Sequence, residues 1–190
     1  MEEQKLGAAN VIMAELEKML DTEPYEKISV SQLCRRAGLS RKAFYSHFKD
    51  KDDVLRRIVE RDIATPVTTL MPYLTLADLE EGGKLLVRHI YESLYQHRDF
   101  YVRATIQNHI AILRDVMREV LTATTVLVFR GDEVEPSEKY LYAAEFTSGA
   151  NVAIMDRWFR EGMVTPPEQL TDWVFEFSGS GNAALLNPRM

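Results

Sequence analysis

Apolar residues recur along this chain at steps of three and four, and the first series is Leu6, Ala9, Met13, Leu16 and Leu20. That spacing puts them on one face of a helix, which must close before Pro24 because the residue ahead of a proline is driven out of helical conformation. The next segment opens with Ser29 and carries Gln32 three residues on, the two ends of a capping box. Val30, Leu33, Cys34 and Ala37 follow as its apolar positions, so a two-turn helix is predicted. Gly38 stands where that helix would stop in the left-handed conformation. Ser40 can cap a third helix, RKAFYSHF, with Phe44 and Phe48 on its inner side. Asp50 opens a fourth, with Asp52 and Asp53 in its first turn and Val54, Leu55 and Ile58 facing inward.

Pro66 disturbs the far end of that helix, and Pro72 with Gly82-Gly83 marks a looser joint. Leu86, Ile90 and Leu94 then predict a helix running to about Arg98, with a short continuation from Phe100 to Asn108. A helix from Ile110 to Phe129, a polar RGDEVEP loop, a long helix from Ser137 to Gly162 and a last one from Pro166 complete the pattern. From Tyr140 to Phe159 apolar residues fall on more than one face, so this helix must be covered nearly all round. A second subunit is one source of that cover, with Ser148, Gly149 and Ala150 allowing close backbone approach. Tight packing inside one subunit is the other.

Nine Gly and seven Pro among 190 residues make turns sparse, which favours long helices over many short strands. The expected class is all-α: a three-helix unit over residues 1–62, then a larger helical unit over 63–190. With 46% hydrophobic and 27% charged residues the chain has the balance of a folding domain. The lone Cys34 excludes an intrachain disulfide or multi-cysteine metal cluster and suits the reducing cytoplasm. Apolar runs are only a few residues long, far short of the roughly 20 a membrane span needs, and the N-terminus lacks a signal peptide's continuous apolar stretch.

Charge narrows the function. The net charge is −6, yet Ser31 to Lys51 holds six basic residues (Arg35, Arg36, Arg41, Lys42, Lys49, Lys51) against Asp50 alone. A polyanion within a Debye length of about 10 Å responds to that patch rather than to the total. Two short helices joined by a glycine turn form a helix-turn-helix, whose second helix enters the DNA major groove. Rotation by about 100° per residue sets Lys42, Ala43 and Ser46 opposite Phe44 and Phe48, flanked by Arg41, Tyr45 and His47. Such a face offers hydrogen bonds to base edges and phosphates. Lys51 opposes the dipole at the start of its helix. A phosphate bound there would reconcile it, and neutralisation by Asp50, Asp52 and Asp53 is the alternative.

The segment ISVSQLCRRAGLSRKAFYSHFKDKDDVL resembles the DNA-binding segment of the TetR family of bacterial transcriptional regulators, and Gly38, Ser40, Tyr45, Phe48 and Lys51 stand in its G-x-S-x-x-x-x-Y-x-x-F-x-x-K pattern. The resemblance covers residues 6 to 62; the remainder is similar in helical layout alone. It implies base reading by Arg41, Lys42 and Ala43, with Ser40 and Ser46 on the same surface. Phosphate contacts fall to Tyr45, His47 and Lys51, and secondary contacts to Ser31 and Gln32. Ala43 departs from the family's common hydroxyl residue and can touch a thymine methyl but gives no hydrogen bond.

The same resemblance implies a homodimer through the last two helices, for which Phe146, Gly149, Val152, Met155 and Phe159 are candidate residues. It also implies an effector pocket, with Tyr91, Tyr95, Phe100, Tyr101, His109, Met117 and Trp158 as candidate lining; such residues also suit a plain core. The function expected is a dimeric repressor released from double-stranded operator DNA by a small molecule, or alternatively a non-sensing adaptor or coactivator acting through a protein partner. No H-E-x-x-H, G-x-S-x-G or P-loop points to an enzyme. His89, His97 and His109 lack metal-ligand spacing, and no cofactor is expected.

Overall fold

The computed structural model describes residues 2–73, 79–106, 110–130 and 137–186, and these hold helices and no strand. In the N-terminal part α1 spans Glu2–Met19, α2 Val30–Ala37, α3 Arg41–Tyr45 and α4 Lys51–Val59. Their ends are fixed by side chains. The Ser29 hydroxyl accepts from the Gln32 backbone N–H at 3.2 Å while Gln32 Oε1 accepts from the Ser29 N–H at 2.9 Å, the complete capping box. Gly38 ends α2 at φ 67°, where a β-carbon would be strained. Ser40 Oγ accepts from the Ala43 N–H at 3.1 Å and Asp50 Oδ1 from the Asp53 N–H at 2.8 Å. Ile12, Leu16 and Met19 of α1, Leu33 of α2, Phe44 of α3, and Val54 and Ile58 of α4 are wholly buried together. Cys34 lies in this core too, where burial pushes its thiol above the ordinary range.

The chain does not break ahead of Pro66. It passes from α4 through a π-turn, Glu60–Ala64, into α5, Thr65–Leu70. The Thr65 N–H bonds to the Glu60 carbonyl five residues back, and this wider turn makes room for a proline ring that lacks a donor. It also turns both Asp62 and Ile63 into the interior, so the division expected after residue 62 falls inside a buried turn.

Behind it lie α6 (Leu79–Gln96), α7 (Arg98–Ile106), α8 (Ile110–Arg130), α9 (Glu138–Arg160) and α10 (Pro167–Leu186). Helix α8 packs along α9, and α6 along α10. The Gly82-Gly83 pair, expected at a joint, sits inside α6. A β-carbon at Gly83 would stand 3.7 Å from the Phe175 ring of α10, so the glycine brings these two helices close. Helix–helix packing overrides its weak propensity.

Candidate nucleic-acid interface

The helix-turn-helix expectation is met in its geometry. Phe44 and Phe48 are buried, while Ser40, Arg41, Lys42, Tyr45 and Ser46 are exposed and Ala43 and His47 half-buried. Within this surface the Arg41 Nη2 donates to Tyr45 Oη at 3.5 Å and its guanidinium stands 5.9 Å from the ring centre. The Ser46 hydroxyl donates to the Ala43 carbonyl at 2.7 Å. Among the described residues Arg35, Lys42 and Lys49 have no ion-pair partner, so their charge faces solvent.

Two residues of the basic patch are committed elsewhere. Arg36 turns back to α1 and the turn after it, 3.7 Å from Glu15 and 3.9 Å from Glu23. Lys51 is not paired with Asp50, Asp52 or Asp53: its ammonium donates to the Tyr25 carbonyl at 2.7 Å and the Ile28 carbonyl at 3.2 Å and lies 4.1 Å from the Tyr25 ring centre. Those carbonyls end the 3-10 helix Tyr25–Lys27, where a cation is favourable. The Tyr25 hydroxyl donates to Asp52, and burial, then this carboxylate, holds its phenol well above the usual range. A bulky, half-hidden lysine–tyrosine–aspartate clamp therefore joins the start of α4 to the turn before α2; a sequence pattern gives no sign of it.

Ser31 is exposed, as a DNA contact requires. Gln32 is tied up, its Oε1 in the cap and its Nε2 donating to Glu23 at 3.4 Å.

Five of the seven candidate effector residues lie in the core. Tyr91, Phe100, Tyr101, Met117 and Trp158 are buried; Tyr91 meets Trp158 edge-on at 5.6 Å, and the half-buried Tyr95 stacks on Trp158 at 6.2 Å. The cavity beside Met117, Val152 and Phe159 measures about 10 Å³, the room of a single water. His109 lies outside the described residues.

On α9 the dimer candidates divide. Phe146 is 77% exposed and Gly149 is exposed, but Val152, Met155 and Phe159 are buried within the protomer. The helix has two distinct stripes: Ser148, Val152, Met155 and Phe159 face the core, and Tyr142, Phe146, Gly149 and Ala153 face outward. The outward set includes Tyr142, which the spacing does not single out, and Phe177 of α10 is exposed as well. Among the described residues no helix is long and apolar enough to cross a membrane.

Comparison with known proteins agrees with this architecture. The family model "Bacterial regulatory proteins, tetR family" matches residues 12–58, and "Transcriptional regulator C-terminal region" matches residues 84–178, half of the chain. An HTH-type transcriptional regulator of Staphylococcus aureus (strain bovine RF122 / ET3-1) is 35% identical over 51 residues, 27% of this chain and 28% of its own length. A second from strain USA300 is 33% identical over the same extent. The match thus spans little more than a quarter of these curated relatives. Solved structures match over nearly the full chain: the fatty acid degradation regulator FadR from Bacillus halodurans (18% identity, 94% of each chain, TM-score 0.61) and a TetR transcriptional regulator from Streptococcus agalactiae 2603V (18% identity, 93% of this chain and 96% of that one, TM-score 0.59). A third is the dihydroxyacetone kinase operon activator DhaS (16% identity, 90% of this chain and 93% of that one, TM-score 0.55). With a helix-turn-helix at one end, helices throughout and both family models in register with them, this chain belongs to the TetR family of bacterial transcriptional regulators.

Proposed function

We propose that the chain is a dimeric transcriptional repressor that binds double-stranded operator DNA in the cytoplasm and is released by a small-molecule effector. Residues 1–62 form the reading unit and 63–190 the regulatory and dimerising unit. The observation that carries the reading is the surface of α3: in a protein of net charge −6, its exposed residues are Arg41, Lys42 and Tyr45, with no acid among them. Arg41 and Lys42 read base edges, Ala43 a thymine methyl, and Tyr45 and His47 hold phosphates, with Ser31, Ser40 and Ser46 around them. Lys51 acts here by holding α4 in place, with a spare N–H for phosphate.

The outward stripe of α9, with Phe146 at its centre, supports dimerisation, since an exposed apolar face of this kind marks an interaction site. Two recognition helices about 34 to 36 Å apart then address successive major grooves. Selection of bound duplexes from random DNA tests the whole reading. A recurrent two-fold symmetric sequence is expected; enrichment of nothing beyond salt-sensitive, sequence-blind binding overturns it.

The second reading, a non-sensing adaptor or coactivator working through a protein partner, is favoured by the burial of Tyr91, Tyr101 and Trp158 in one aromatic cluster with Phe159. A panel of apolar and aromatic small molecules separates the two: under effector control one raises Tm and lowers operator affinity together. One relative in fold is named an operon activator, so a reporter gene decides the sign of regulation.

A further inference from the structure

The reading unit and the regulatory region meet at a buried charge. Asp62 is 0% exposed in the π-turn between α4 and α5, where an unpaired carboxylate would be costly. Arg61 grips it with two donors, Nε to Oδ1 at 2.6 Å and Nη2 to Oδ2 at 3.0 Å. The Tyr101 hydroxyl of α7 donates to Oδ2 at 2.8 Å. The same Arg61 Nη2 donates to Glu17 of α1 at 2.8 Å, and the His97 ring stands 3.6 Å from Asp62 and 4.0 Å from Glu17. One carboxylate and one guanidinium thus tie the first helix of the reading unit and the helix leaving it to α7 of the regulatory region.

Two further ion pairs cross this joint, Asp21 with Arg103 and Arg56 with Glu119, and both are exposed. Exposed pairs are screened and hold weakly. Apolar surfaces tolerate sliding, whereas charge-assisted hydrogen bonds at fixed angles do not. Beyond Asp62 the packing continues in rings. Tyr101 stacks on Phe159 at 4.9 Å, Phe159 adjoins Trp158 at 6.1 Å, and Trp158 meets Tyr91, whose hydroxyl donates to Asn151 on α9 at 2.9 Å.

We propose that Asp62 is a positioning residue for operator recognition: it fixes the angle of the reading unit on the regulatory region, and with it the separation of the two recognition helices in the dimer. The inference rests on the dimer reading above. Its signature is a split between two kinds of binding. Engagement of a second half-site is intramolecular, and its gain depends on geometry; engagement of one half-site depends on one reading unit alone.

The experiment uses the full chain and two probes: the tightest duplex selected from random DNA, and the same duplex with one half scrambled. Asp62→Asn keeps the shape and removes the charge. Tyr101→Phe removes one donor to Asp62 and keeps the ring on Phe159. Asp62→Asn is expected to lose on the order of tenfold affinity for the intact duplex and less than about twofold for the half-scrambled one, while sedimenting as a dimer. Tyr101→Phe follows in the same direction with a smaller loss, and it carries the test alone if Asp62→Asn does not fold. Equal losses on both probes would mean that these residues only hold the fold together, and overturn the inference. A wild-type chain that binds both probes equally overturns the dimer reading and this inference with it.

Discussion

The two regions of this molecule are built from the same element but specified in different ways. In the reading unit, α2, α3 and α4 run only eight, five and nine residues, too short to persist alone. Each begins with a side-chain cap, at Ser29, Ser40 and Asp50. In the regulatory region α6, α8, α9 and α10 run 18 to 23 residues, and Ser137 at the start of α9 makes no capping bond. Short helices are held at their ends by local chemistry, and long ones along their faces by whatever lies across from them. The first kind of information sits within a few residues of sequence; the second is spread over the whole fold.

The largest expected effects test whether the regions fail separately. Phe44 is fully buried in the reading unit, and Phe159 is buried beneath Tyr101 in the regulatory one. Replacing either with Ala is expected to cost about 3 to 5 kcal/mol by urea denaturation. Phe44→Ala should abolish DNA binding and leave the dimer intact. A single loss of both dimer and DNA binding by either variant would make the molecule one cooperative unit, and the comparison would lose its force.

Next in size is the outward stripe. Phe146→Asp places a charge on a side chain that is 77% exposed in the protomer, so folding should be nearly unaffected. If the side chain anchors a dimer, association weakens by 2 kcal/mol or more, about thirtyfold in the dissociation constant. Sedimentation at micromolar concentration reads this directly; an unchanged dimer would move the interface to another face.

These cases show what was legible. The caps, the glycine stop and the two phenylalanines of the reading unit could be taken from spacing alone, because each rule spans four residues. The sequence marks Pro66 as a disturbance but not the π-turn that absorbs it, since that depends on the wide turn burying Asp62 under Tyr101 of α7 and Ile63 in the core. On α9, apolar residues on all sides were visible in the sequence. Which stripe faced the core was not, because Val152 and Phe146 differ only in what lies opposite them. The sequence shows Lys51 to be misplaced for its helix, but its partners, two carbonyls more than twenty residues away, have no local mark.

Within the reading unit, base-facing and clamping residues should part company by about 1 to 3 kcal/mol. Arg41→Ala and Lys42→Ala should lose that much on the selected operator, relax selectivity at particular base pairs and leave Tm unchanged. Lys51→Ala should act through the fold. It removes two charge-assisted bonds and a cation over a ring, so stability falls by a similar amount and specific and non-specific DNA binding weaken alike. Lys51→Ala with unaltered Tm and a salt slope lowered by about one would instead make the lysine a phosphate contact first.

The smallest expected effect compares one device used in both regions. Helix α2 ends at Gly38 with φ 67°, and α9 ends just before Gly162 with φ 75°. In each case the following residue closes the turn from five positions on: the Leu39 N–H bonds to the Cys34 carbonyl at 2.9 Å, and the Met163 N–H to the Trp158 carbonyl at 2.8 Å, the Schellman arrangement. A β-carbon at either glycine would meet nothing within 4 Å, so Gly38→Ala and Gly162→Ala each cost only the left-handed backbone strain, about 1 kcal/mol. Thermal melting should therefore move by similar amounts for the two. DNA affinity should not, because the turn at Gly38 sets the angle between α2 and α3, while the turn at Gly162 sets nothing that touches DNA. Relief of strain at Gly38 by a small rotation of α3 would lower operator affinity beyond what the lost stability accounts for. If the two variants bind operator equally well after correction for folded fraction, the angle of the helix-turn-helix is held by Phe44 and Phe48 in the core, and the glycine merely permits it.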